Sequence, residues 1–106
     1  MFRVLLAAAV IIATPALGFA HHATNATDAF KEANDAMMHG MMPSLTGDAD
    51  KDFVMMMIPH HQGAIDMANI ELKYGKDETL RAMAKMIVEA QEKEIKEMKD
   101  WQAKHP

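Results

Sequence analysis

The chain has no cysteine. Disulfides and thiolate-based metal or nucleophilic sites are therefore excluded, and no residue is present to carry a lipoprotein anchor. Basic residues are few, with eleven Lys and Arg against fifteen Asp and Glu, a formal net charge of −4. Nucleic-acid binding needs clustered cationic contacts, so none is expected. Long apolar runs are absent as well. The one candidate, Val4 to Ala13, is short for a membrane span and is followed by Pro15 and Gly18. No His-Glu-x-x-His occurs, and no Glu stands three residues before a His. Zinc-hydrolase and ferritin-type di-iron chemistry both call for such patterns. With no Ser/His or Cys/His set either, the chain is not expected to be an enzyme.

The Val4 to Ala13 run has another explanation. It follows a basic start at Phe2-Arg3 and precedes the small-x-small pattern Gly18-Phe19-Ala20. This is the layout of a secretory signal peptide, residues 1–20, cleaved after Ala20. The expected mature part, residues 21–106, is one small helical metal-binding domain, periplasmic or secreted, with no membrane span. Removing Arg3 leaves ten basic residues against fifteen acidic ones. A chain this short buries a modest core and is expected to gain stability from a second copy or a metal.

Methionine and histidine are abundant: twelve Met and six His in 106 residues. The densest run, Met55 to Ala68, holds four thioethers and two imidazoles in fourteen residues. Thioether and imidazole ligands select Cu(I), and imidazole also serves Cu(II) and zinc. At about 100° per residue, Met56, His60 and Met67 share one helical stripe, while Met57 and His61 lie on the next. Neighbouring residues do not face each other, so His60 and His61 are not expected to bind one ion together. Pro59 predicts a kink between the methionine triplet and the histidine pair, or a helix restart there. The competing reading is packing, since Met at helical spacing commonly fills core gaps. A second cluster, Met37-Met38-His39-Gly40-Met41-Met42, ends a predicted helix beside Pro43. An exposed group of soft donors there reads as a binding surface, against a flexible apolar plug. Were cleavage to fall after Ala20, His21 would offer an amine and an imidazole as a further Cu(II) site.

Three helices are predicted, giving an all-α bundle. The first spans Thr24 to His39, with N-caps offered by Thr24, Asn25 and Thr27, an apolar face of Ala26, Phe30, Ala33 and Met37, and Gly40 as its stop. The second starts at a cap on Asp48 or Asp50, runs to about Tyr74, and shows Phe53, Met57, Ala64, Ala68 and Leu72 on its apolar side. Gly75 to Asp77 makes the turn. The third runs from Glu78 to Ala103, with Leu80, Ala84, Ile87, Gln91, Ile95 and Met98 on one stripe. Glu89/Lys93 and Glu92/Lys96 are expected as i,i+4 pairs. Gln91 and Glu94 interrupt the apolar pattern, so each needs a polar partner. The antiparallel hairpin can bring His60 or His61 to them, the arrangement that orients a metal-bound imidazole.

The run Met57-Ile58-Pro59-His60-His61-Gln62, followed by Gln91, Glu94-Ile95, Met98 and Trp101, resembles the domain-of-unknown-function 305 family over residues 28–104. That family includes periplasmic copper-binding, CopM-like proteins. The resemblance implies a ferritin-like antiparallel helical bundle, and the three mature helices of this short chain suggest its completion by pairing with a second copy. It also implies binding of Cu(I), with Cu(II) or Ag(I) as further cargo, for copper buffering, tolerance or transfer to a partner protein. It implies ligands among Met37, Met38, His39, Met41, Met42, Met56, Met57, His60, His61 and Met67. The alternative is a Met-rich helical binding or chaperone module without a metal role, since flexible Met surfaces repack around varied partners.

Overall fold

The computed structural model describes residues 25–106. The expected signal peptide, residues 1–20, and His21 lie outside the described residues. Three helices follow one another: α1 (Ala26–Gly40), α2 (Ala49–Tyr74) and α3 (Glu78–Lys104). The protein is an all-α bundle, as its sequence pattern predicts.

Each helix begins where a short polar side chain can satisfy free backbone N–H groups. The Asn25 side chain accepts from the Asp28 N–H at 3.0 Å. Asp48 accepts from Asp50 and Lys51, at 3.0 and 3.2 Å. Asp77 accepts from Leu80 at 2.9 Å. The loop before α2 is tied down by Asp52, whose carboxylate accepts from Thr46 N–H, Thr46 Oγ1 and Gly47 N–H. Gly47 sits at φ +85°, which favours a residue without a side chain. Those hydrogen bonds hold the Asp52 carboxyl below its ordinary value, the Thr46 N–H contributing most.

The helices run antiparallel, with α2 in the middle. It packs on α1 along one side and on α3 along another, while α1 and α3 do not pack on each other. The α1 contact depends on small residues. A Cβ at Gly40 would lie 2.8 Å from the Pro59 Cβ, and one at Gly63 would lie 2.5 Å from the Met37 sulfur. Two glycines thus bring the backbones together at the methionine-rich end of α1. At the other turn, Arg81 Nη1 donates to the Leu72 and Gly75 carbonyls, fastening the α2–α3 hairpin.

Several expectations are corrected. Gly40 does not stop α1 but is its last helical residue, and Met41 forms the cap. The absent side chain serves contact with Pro59 and not a turn. Pro59 causes no restart, because α2 runs through it unbroken. The lysines of α3 pair toward the C-terminus, Lys93 with Glu97 at 3.9 Å and Lys96 with Asp100 at 2.6 Å. Glu89 and Glu92 are not their partners. Phe30, Phe53 and Leu80, placed on apolar faces by periodicity, are 40–60% exposed. The buried apolar residues are Ala33, Val54, Ile65, Ala68, Ala84 and Ile95. Val54 and Ile65 were missed because α2 has neighbours on two sides and buries more than one stripe.

Candidate metal site

His60 and His61 part company on α2. His60 is exposed. His61 turns toward α3, its side chain only 14% exposed. Their ring centroids stand 6.0 Å apart, with the planes at 59°. The two imidazoles therefore serve different surroundings, as adjacent helical positions require.

The hairpin register brings Glu94 to His61. His61 Nε2 meets the Glu94 carboxylate, while Glu94 keeps half its side chain in water. Gln91, the other expected partner, is half-buried and makes no hydrogen bond to either imidazole among the described residues. The second ring nitrogen, His61 Nδ1, is buried and has no hydrogen-bond partner. A buried polar atom left unpaired is uncommon and costs about 1–3 kcal/mol.

His61 borders a groove between α2 and α3 of about 580 Å³, lined also by Phe53, Met57, Glu94, Met98 and Trp101. Met57 lies one turn before His61 on α2, and Met98 one turn after Glu94 on α3. His61, Met57 and Met98 thus border one groove together with Glu94, whose carboxylate engages the ring at Nε2. Met98 belonged to the stripe of α3 without being assigned as a ligand. Its position beside His61 needs the hairpin register, which the α3 spacing alone does not supply.

A second group of soft donors lies on the opposite side of α2. Met37 rests over Gly63, and Gly40 over Pro59. This antiparallel register carries Met41 toward Met56, and both are half-buried. Met38, His39 and Met42 point away from this contact. Met38 and Met42 are 49% and 78% exposed. Met67 is 41% exposed and lines a different groove, with Phe30, Ala64, Leu80 and Met83. The ten expected ligands therefore do not form one cluster. Met57 and His61 face α3, Met37, Met41 and Met56 lie at the α1 contact, and His39, His60, Met38, Met42 and Met67 are exposed. Among the described residues, no three of His, Cys, Asp and Glu form a metal-holding group. Thioethers are outside that set, so a soft-ion site would draw on them.

Trp101, which lines the groove, is held in a cluster with the last residues of the chain. Trp101 stacks on His105 with centroids 4.2 Å apart, His105 Nδ1 meets the Trp101 carbonyl at 2.7 Å, and Lys51 reaches the Pro106 carbonyl at 3.1 Å. No helix among the described residues is long and apolar enough to cross a membrane.

A family model described as Domain of unknown function (DUF305) matches residues 13–102, and the chain belongs to that family. No curated protein matches it.

Proposed function

We propose that the protein binds copper, Cu(I) first, and buffers or hands on the ion outside the cytoplasm after its leader is removed. The observation that carries this reading is the state of His61. Its Nε2 is engaged by Glu94, its Nδ1 is buried without a partner, and the residue borders a groove that Met57 and Met98 also line. Metal-binding imidazoles characteristically give their other nitrogen to a carboxylate, which fixes ring orientation and tautomer. An ion at Nδ1 would satisfy the unpaired atom, and the thioethers suit Cu(I) and Ag(I). Thioethers bind without losing a proton, whereas imidazole must be neutral. Cu(I) held by methionine is therefore expected to outlast Cu(II) in mild acid. The donors at the α1 contact, Met37, Met41 and Met56, would form a second, all-thioether site. On this reading the chain carries the ion and performs no reaction on it.

The test is an anaerobic Cu(I) titration against a chromophoric chelator. The wild type is expected to compete. His61→Ala and the pair Met57→Leu with Met98→Leu are expected to lose the tightest site. Replacing Met37 and Met41 by Leu should remove a separable equivalent. Failure of the wild type to compete would overturn the copper reading. The Met-rich surface would then stand as a binding module for protein partners, a reading that the exposed Met38 and Met42 favour.

A further inference from the structure

The side of α2 between its contacts with α1 and α3 carries a regular seam. Phe53, Met57, His60, Ala64, Met67 and Glu71 follow one another at alternating four- and three-residue steps. The adjacent side of α3 repeats the pattern with Thr79, Met83, Met86 and Ala90, none of them charged. Alternating spacing of this kind is the geometry by which a further helix packs, knobs into holes. Ala64, Met67 and Glu71 of the first seam and Met83 of the second line one groove, whose third wall is Phe30 of α1.

The seam is bare. Phe30, Phe53, Met67, Leu80, Met83 and Met86 are each 40–63% exposed. Taking about 200 Å² for a fully exposed large side chain, these six present roughly 600 Å² of surface. A monomer's largest apolar patch reaches about 300–600 Å², and a stable interface takes about 800 Å² from each partner. The six side chains approach that requirement before their small and polar neighbours are added. The inside is correspondingly poor, as no large side chain is fully buried among the described residues.

We propose that this face is covered by a second copy of the chain, related by a two-fold axis, so that two open three-helix layers close into one bundle. The same seam on both partners satisfies the self-complementarity of a two-fold contact. A helical layer that is apolar on one face needs a second layer against it, and an identical layer supplies the matching spacing. An anionic membrane surface is a poor alternative, since such surfaces attract basic amphipathic helices and this chain has an acidic excess. The interface requires no metal and takes in the exposed His60 and Met67.

Sedimentation velocity of the metal-free protein tests this, from micromolar to submillimolar concentration. The wild type is expected at twice the chain mass. Met83→Glu with Met86→Glu, both on solvent-facing helix positions where Glu is well tolerated, should sediment as a helical monomer. Met42→Glu, away from the seam, should remain a dimer. A monomeric wild type would overturn the proposal, and so would a Met83/Met86 variant that stays dimeric. Circular dichroism on the monomer excludes unfolding as the cause of dissociation. Because copper is absent throughout, the result is independent of the metal reading.

Discussion

Adding one methyl group at Gly63 tests how α1 is held. Alanine in place of glycine at a mid-helix position ordinarily gains about 1 kcal/mol. Here the new Cβ would stand 2.5 Å from the Met37 sulfur, 2.7 Å from its Cγ and 2.9 Å from its Cβ. The thioether can swing aside, but the Met37 Cβ is fixed to the α1 backbone, so the helix itself must move. Overpacking of this kind costs about 1–3 kcal/mol, and the backbone-tied clash puts it at the upper end. The net loss for Gly63→Ala is about 1–2 kcal/mol after the propensity gain. For a domain of this size each kcal/mol shifts Tm by about 4–8 °C, so Tm should fall by roughly 5–15 °C. Thermal and urea unfolding of the wild type, Gly63→Ala, Met37→Ala and the double variant would form a cycle. With Met37 cut back to alanine, two of the three clashes vanish, and the Gly63 change should become far less costly. The reasoning is refuted if Gly63→Ala raises Tm in the wild-type background, or if the two substitutions add without coupling.

Three further expectations concern the other contacts. Glu94→Gln should weaken Cu(I) binding about 10–100-fold with little change in fold, as loss of a ligand's orienting partner does; unchanged affinity would remove Glu94 from the site. Arg81→Met should cost about 1.5–3 kcal/mol in urea unfolding, since a charged donor leaves two carbonyls at the α2–α3 turn. Asp52 titrates below its ordinary 3.8 in the folded state. Its contribution is therefore present above pH 3.8 and disappears as pH falls through the folded value. Stability curves of the wild type and Asp52→Asn should converge in strong acid, and parallel curves down to low pH would contradict this.

The cap at Asp77 was legible from residue type, and the other two were narrowed to Thr24, Asn25 or Thr27 and to Asp48 or Asp50, of which the structure uses Asn25 and Asp48. Gly75 marked the end of α2 in the same way. The identity of the inward histidine was not legible. His60 and His61 are equally plausible on one helix, and only the hairpin register that sets Glu94 opposite His61 separates them. The same register explains why Met98 escaped assignment and why Gln91 was assigned a contact that it does not make. Phe30, Phe53 and Leu80 were each recognised on an apolar helix face, yet all three stay exposed. Periodicity identifies which residues turn together, while what lies against them depends on helices elsewhere in the sequence.

The placement of α1 bears on the order in which the protein comes apart. It is fastened along a single flank, whereas α2 is gripped on two. The hairpin of α2 and α3, locked by Arg81 at its turn, can persist as a cooperative unit while α1 peels away. The Asp52 clasp anchors the connecting segment at Thr46 and Gly47, so the departing helix swings on a tether of a few residues around Pro43. It takes with it Met37, Met38, His39, Met41 and Met42. Four methionines thus ride on the protein's most readily detached segment, and an ion held against α2 there would be freed by the departure of one helix rather than by the unfolding of the whole.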